Sequence, residues 1–236
     1  ECLRRISIMA EMIEAKAVLV HAITPMVLET HLSETLRREK LEASLPLVEH
    51  SMETAEECGV VPLLENIPPV ARQRQAAFMV TPIGMSAEDL VFFAEAFPGL
   101  GATVDLSHAQ LFLNGLRMDP ATAQPQFVPL VRYLSTLEDS PSIDQYLERV
   151  GKYLFEVHVS NARGLLEEGL PYGDGDLDID ALVPRLGRTA RYIVTETIEP
   201  NADRGVRMRE AQRRLQAALL TIPGDDACPA HQEDPI

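Results

Sequence analysis

Five short apolar runs, separated by helical segments, constrain the fold of this 236-residue chain more than any other feature of its sequence. The runs lie at 16–22, 60–66, 102–106, 153–159 and 191–197. Short apolar strands that alternate with helices are typical of a parallel sheet whose two faces are both covered. The pattern therefore predicts an α/β fold, built either as a βα barrel or as an open sheet.

The intervals between the runs predict helices, and nothing in them divides the chain. Helical spacing of apolar residues and helix-start or helix-stop residues place the main helices at 2–15, 28–58, 86–97, 142–150 and 204–220. A weaker strand is predicted near 166–172, at the start of a glycine-rich loop. Because no linker is long enough to separate two domains, we predict one domain over 1–222 and a disordered tail at 223–236.

Composition excludes several classes of partner. The formal net charge is −15 and the isoelectric point is about 4.8, so the surface repels phosphate backbones and nucleic acid is disfavoured as a partner. The three cysteines, Cys2, Cys58 and Cys228, are widely spaced and suggest neither a disulfide framework nor a metal motif, which favours a reducing cytoplasm. No apolar run reaches the ~18 residues of a membrane span, so no membrane association is expected.

Each apolar run carries an ionisable residue one position before its last residue. These residues are His21, Glu65, Asp105, His158 and Glu196. In a parallel βα barrel the C-terminal ends of all strands meet on one face, where catalytic groups gather, and the five side chains would converge. An open sheet would instead spread them along one edge.

The residue types in this set suit a divalent cation such as Mn²⁺, Mg²⁺, Co²⁺ or Zn²⁺. Three carboxylates in a cleft of low dielectric constant repel one another, and a dication would offset that repulsion. A single strand-end acid is more often a helix cap or half of an ion pair, and a lone histidine is more often a core side chain. The coincidence of five such residues favours a site.

A series of motifs resembles a known family. In chain order these are "VLVHAITP", "GVVPLLENIPP", "GATVDLSHA", "LFEVHVSN", "YGDGDLDID" and "YIVTETIEP". Their order resembles that in the xylose isomerase-like TIM barrels, which include sugar phosphate isomerases and epimerases and endonuclease IV-type apurinic endonucleases. The resemblance covers about 2 to 220 and implies a parallel (β/α)8 barrel. The first strong strand resembles the third strand of that barrel, so two strands are expected to be missing, six to be present, and the chain to be a fragment or an incomplete barrel.

The resemblance also implies roles for individual residues. It assigns one divalent metal ion to Glu65, Asp105, His158 and Glu196, and in the family's ketose epimerases the two glutamates also move the proton. His108 matches a histidine that contacts substrate or a second metal, and His21 matches the histidine of a strand-end His-Pro-Gly pattern. Arg163, which lies five residues after His158, is a weaker candidate for contact with a hydroxyl or phosphate group of the substrate.

These residues predict a metal-dependent isomerase or epimerase of a small sugar or related polyhydroxy carbonyl compound, with proton transfer through an enediolate. One alternative is an endonuclease IV-type phosphodiesterase. It is weakened because Glu167 and Gly169 stand where those enzymes carry Asp-x-His. A barrel that binds a ligand without turning it over is the other alternative, and a homo-oligomer is left open.

Overall fold

The computed structural model describes residues 2–72, 78–137, 142–200 and 204–221. The predicted tail at 223–236 lies outside the described residues. The strands are β1 (Ala17–His21), β2 (Met26–Val27), β3 (Val61–Glu65), β4 (Val70–Arg72), β5 (Phe78–Val80), β6 (Gly101–Asp105), β7 (Leu154–Val159), β8 (Asn161–Arg163), β9 (Glu167–Leu170) and β10 (Tyr192–Thr195). The helices are α1 (Cys2–Met12), α2 (Glu34–Glu57), α3 (Ala87–Ala96), α4 (Leu106–Arg117), α5 (Val128–Leu134), α6 (Ile143–Val150), α7 (Ile179–Thr189) and α8 (Val206–Leu219), with 3₁₀ turns at Pro125–Phe127 and Gly151–Tyr153.

The five predicted strong strands form one parallel sheet in the order β1-β3-β6-β7-β10. The spatial order follows the chain order without a reversal. A doubly wound open sheet reverses its order at a switch point, whereas a barrel does not. The sheet is therefore a five-stranded arc of an α/β barrel, which confirms the predicted class of fold.

The prediction of a sixth barrel strand is wrong. The segment near 166–172 forms β9, which pairs antiparallel with β8 in a hairpin. A strand inside a parallel barrel is covered on both faces and is apolar throughout, but β9 contains Glu167, Glu168 and Gly169. The described parallel sheet consequently holds five of the eight strands of a closed barrel rather than six.

Helix α4 follows β6 without a connecting loop and was not predicted. Asp105 ends the strand and is also the N-cap residue of the helix. Helix α2 begins at Glu34, behind the N-cap Ser33, and not at 28 as the periodicity suggested. Helix α3 has the predicted capping box of Ser86 and Asp89.

The main hydrophobic core lies between the central sheet and its helices. Its largest fully buried side chains include Phe93, Phe112 and Tyr146. A smaller cluster joins α1 and α2 to the first strands through Ala10, Val18, Ala55 and Val60. Strands β2, β4 and β5 form a separate antiparallel sheet from the segments that follow β1 and β3. Among the described residues, no helix combines the length and the apolar character required to cross a membrane.

Candidate metal centre

Four strand ends bring their side chains to one point. Glu65 ends β3, Asp105 ends β6, His158 lies one residue before the end of β7, and Glu196 follows β10 directly. One ligand atom from each residue can be chosen so that all four lie within 4.8 Å of one another. The register brings two neighbouring pairs of side chains side by side, since Asp105 pairs with His158 and His21 pairs with Glu65.

Asp105 is fixed by its backbone and by its capping role together. Its Oδ1 accepts the His108 backbone N–H at 2.8 Å and so caps α4. The buried side chain of Asn66 holds the Asp105 backbone twice: Oδ1 accepts the Asp105 N–H at 2.7 Å, and Nδ2 donates to the Asp105 carbonyl at 3.1 Å. The helix-cap interpretation and the site interpretation of this residue are thus compatible, because a carboxylate has acceptor positions for both.

Glu65 is buried and lies between two imidazoles. Its Oε2 is 3.0 Å from His21 Nε2, and its Oε1 is 3.2 Å from His158 Nδ1. Burial raises the pKa of Glu65, but the interactions with His158 and His21 outweigh it and lower the pKa to about 2. The carboxylate is therefore ionised at neutral pH.

His158 contacts a carboxylate on each side of its ring. Nε2 lies 2.7 Å from Glu156 Oε1, whereas Nδ1 lies 2.8 Å from Glu196 Oε2 and 3.2 Å from Glu65 Oε1. Burial lowers the pKa of His158, but the interactions with Glu156, Glu196 and Glu65 outweigh it and raise the pKa to about 12. Despite these short distances, Nδ1 is a buried atom that makes no hydrogen bond of acceptable direction.

This buried nitrogen tests whether the residues fit a divalent cation. Two ligand atoms that each lie ~2.1 Å from one ion, at right angles, are themselves ~3 Å apart. The distances from His158 Nδ1 to Glu196 and Glu65 are 2.8 and 3.2 Å, which match the spacing of two ligands on one ion. Neither contact has the direction of a hydrogen bond. The donor set of three carboxylates and one imidazole is also suited to such ions. The residues therefore fit a divalent metal ion.

Charge repulsion among the clustered carboxylates also favours a divalent metal ion at this point. Burial raises the pKa of Asp105, and the neighbouring Glu196 raises it further. His158 has the opposite effect on Glu196 and lowers its pKa. The cluster thus holds three carboxylates and one imidazole, and a dication among them would favour the ionised form of all three carboxylates.

The three predicted substrate-contacting residues have different surroundings. His21 is 45% exposed and touches Glu65. The Nδ1 atom of His108 is 2.9 Å from the Asn66 carbonyl oxygen, and its Nε2 is 3.6 Å from Glu168. Burial lowers the pKa of His108, but the charge of Asp105 and further acceptors raise it to about 9.

Arg163 is engaged within the β8–β9 hairpin. Its guanidinium lies 3.3 Å from Glu167 and donates a second hydrogen bond to the Asp174 carbonyl. None of its described polar contacts involves the four clustered residues. Its predicted contact with substrate stays a prediction.

Three residues of this region were missed in the sequence. Asn66 and Glu156 contact the clustered residues directly, and Glu168 faces His108 from the hairpin. Glu156 could have been found from the two-residue period of β7, which places it on the same face as His158. Asn66 adjoins Glu65, but the sequence gives no sign that its side chain spans to the next strand.

The acid-histidine cluster lies at the C-terminal ends of the parallel strands, the face on which the active sites of α/β barrels are built. The sequence profile of the family described as "Xylose isomerase-like TIM barrel" matches residues 1–218. The chain belongs to this family. Among curated protein sequences, none matches this chain.

Solved structures agree on the fold. A D-tagatose 3-epimerase-like protein has a TM-score of 0.58 at 18% identity, with 93% of this chain and 69% of that chain covered. A 3-keto-D-glucoside 4-epimerase from E. coli has a TM-score of 0.59 at 16% identity, with 91% of this chain and 69% of that chain covered. A xylose isomerase-like TIM barrel protein from Mycobacterium smegmatis in complex with magnesium has a TM-score of 0.56 at 17% identity, with 94% of this chain and 67% of that chain covered. The chain thus spans about two thirds of the length of each.

Proposed function

We propose that this protein is a divalent-metal-dependent isomerase or epimerase of a small sugar or related polyhydroxy carbonyl compound. The observation that carries the proposal is the cluster itself. Its four ligand atoms lie within 4.8 Å of one another, and the buried His158 Nδ1 has no directed hydrogen bond. The names of the similar structures, among them two sugar epimerase descriptions, support a carbohydrate substrate.

The metal ligands in this proposal are Glu65, Asp105, His158 and Glu196, and the ion is one of Mn²⁺, Mg²⁺, Co²⁺ or Zn²⁺. A bound ion of this kind supplies Lewis-acid polarisation of a carbonyl oxygen. The protein supplies the groups that hold and move protons. The burial of Glu65 and Asp105 keeps bulk water away from one side of the site.

Proton transfer is assigned to Glu65 and Glu196. Both carboxylates lie against Nδ1 of His158, and the Glu196 side chain is 54% exposed, which leaves it accessible to a sugar. Glu196 removes the proton next to the substrate carbonyl and later releases it to solvent, while Glu65, ionised at rest, takes a proton from solvent through His21 and delivers it to the substrate from the other side. His21 contacts Glu65 at 3.0 Å and is itself 45% exposed, so it can exchange protons between the buried carboxylate and solvent.

Substrate hydroxyl groups would meet the rim of the site. His108 and Glu168 face each other there, and the Asn66 carbonyl, 2.9 Å from His108 Nδ1, orients the ring so that Nε2 faces Glu168. Arg163 is retained as a weaker candidate for substrate contact. The net charge of −15 and the lack of the Asp-x-His pair argue against a nucleic-acid phosphodiester as substrate. The isolated cysteines keep a cytoplasmic location as the working hypothesis.

The test has two stages. First, purified protein is analysed for bound metal, stripped with chelator and reloaded with each of the four ions. Second, ketoses, hydroxypyruvate and inososes are incubated with the loaded protein in D₂O, and deuterium incorporation next to the carbonyl is followed by NMR. The proposal expects incorporation that chelator abolishes and metal restores. Ligand binding without any incorporation would instead identify a non-catalytic barrel.

A further inference from the structure

Glu156 lies in the layer of the barrel directly beneath the clustered residues. Successive side chains of a strand point to opposite faces, so Glu156 and His158 share the inner face of β7. The register supports this placement, because Glu156 pairs with Thr103 and His158 pairs with Asp105 on β6. An acid in this layer is unexpected, since the inner layers of a barrel are filled mainly by branched apolar residues.

The contact between Glu156 and His158 is short and sheltered. Oε1 of Glu156 is 2.7 Å from Nε2 of His158, and the two side chains are 16% and 12% exposed. A carboxylate oxygen accepts hydrogen bonds, so this contact favours the tautomer of His158 that carries its proton on Nε2. The other nitrogen, Nδ1, then points at Glu65 and Glu196 from a buried position without a directed hydrogen bond.

The described residues that pair with Glu156 across the sheet carry no positive charge. Its register partners are Thr103 on β6 and Tyr192 on β10. The hydroxyl of Thr103 is buried and has no hydrogen-bond partner in the described part of the chain, although it adjoins this acid in the sheet. The ion-pair partner that the structure gives Glu156 among the described residues is His158.

We propose that Glu156 is a positioning residue that keeps the proton on His158 Nε2 and so commits Nδ1 to the metal ion. This inference rests on the proposed metal centre. Histidine ligands of metal sites commonly donate their second N–H to a carboxylate, which fixes the ring and increases the basicity of the ligand nitrogen. Here the same strand provides both partners, two residues apart.

The first experiment compares Mn²⁺ affinity by calorimetric titration of metal-free protein. We expect Glu156→Leu to weaken binding by ~10–100-fold. Glu156→Gln should lie between it and the wild type, because its amide oxygen still accepts the Nε2 proton. Thr103→Val is the matched control from the same layer and should bind Mn²⁺ as the wild type does. Thermal unfolding of the metal-free variants detects a purely structural role, which would lower Tm without changing Mn²⁺ affinity.

The second experiment identifies the nitrogen that binds the ion. Long-range ¹H–¹⁵N NMR spectra of the Zn²⁺-loaded protein, assigned for His158 with a His158→Gln variant, should show Nδ1 bound to metal and Nε2 protonated. Metal on Nε2 would overturn the inference, as would Glu156→Leu and Glu156→Gln affinities within twofold of wild type. Those outcomes leave the metal centre in place, whereas a wild type that binds no ion overturns the metal centre and this inference together. If Glu156→Leu fails to fold, Glu156→Gln and the wild-type spectrum decide.

Discussion

The centre and the two edges of the five-stranded sheet differ sharply in burial. Val104 on β6 and Val157 on β7 are fully buried, whereas Val194 on the edge strand β10 is 43% exposed. At the other edge, next to β1, the end of the α1 segment leaves Met12 and Ile13 78% and 75% exposed. The central strands are covered on both faces, and the edge strands are covered incompletely.

The residues of the candidate metal centre show the same difference in burial between central and edge strands. Asp105 and Glu65 come from central strands, and their side chains are almost fully buried, while His158 is 12% exposed. Glu196 and His21 come from the edges and are 54% and 45% exposed. The contrast separates side chains that a packed core holds in place from side chains that can approach a substrate or solvent. It matches the assignment of proton movement to Glu196, with His21 as the solvent contact of Glu65.

The largest expected effect concerns the exposed edge carboxylate. Glu196→Gln keeps the shape of the side chain and removes its basic oxygen, so turnover at saturating metal should fall by ~10²–10⁴. Because the residue is half exposed, the loss of its charged contact with His158 should lower Tm of the metal-free protein only slightly. Glu199→Gln is the control, since that partly exposed carboxylate accepts the Met208 N–H and lies outside the cluster. Near-normal turnover of Glu196→Gln with metal bound would remove Glu196 as the proton carrier.

A central ligand should behave differently. Asp105→Asn retains an oxygen to cap α4, because asparagine is as good an N-cap residue as aspartate, but it loses a negative charge from the cluster. We expect metal affinity to fall by at least ~10-fold and turnover to recover largely when metal is added in excess. Kinetics across a range of metal concentrations test this. A defect that no metal concentration relieves would assign Asp105 a role beyond that of a ligand.

Two valines on adjacent strands test the structural side of the comparison. Val157→Ala removes two methyl groups from a closed core and should lower the free energy of unfolding by about 2 kcal/mol. Val194→Ala, on the exposed edge, should cost less than about 0.5 kcal/mol. Urea denaturation of both variants measures the difference. Equal losses would mean that the edge is as well packed in solution as the centre.

The smallest effect is expected at α1. Met12→Gln replaces a side chain that is 78% exposed and should change the free energy of unfolding by no more than about 0.5 kcal/mol. The same urea titration can be used, with Ala10→Gln as the contrasting variant because Ala10 is buried between α1 and α2. A large loss for Met12→Gln would show that this apolar surface is covered in solution.

The sequence was sufficient for the central sheet for a physical reason. Strands buried on both faces are continuous apolar runs, so all five were found with ends within two residues of those in the structure. Helix α4 was missed because β6 passes into it at Asp105 with no turn residue between them. Strand β9 was misassigned to the barrel although its two glutamates, Glu167 and Glu168, depart from the apolar pattern of a strand covered on both faces.

The site divides in the same way. The strand-end residues could be predicted because the C-terminal ends of parallel strands meet on one face. The supporting contacts could not, since they depend on which atoms meet in space. Asn66 reaches the backbone of a residue 39 positions away, and Glu168 faces His108 only because the β8–β9 hairpin folds back, with the Gly169 N–H donating to Ser107 Oγ.

The measurement that tests the central claim most directly is the metal stoichiometry of the folded chain. Protein dialysed against each of the four ions and then against metal-free buffer is analysed by mass spectrometry for metal per chain, next to a Glu65→Gln/His158→Gln double variant. We predict one divalent ion per wild-type chain and none in the double variant, with the variant still folded by circular dichroism. Wild-type protein that retains no ion, or a double variant that retains as much as the wild type, would contradict the assignment of these residues as a metal centre.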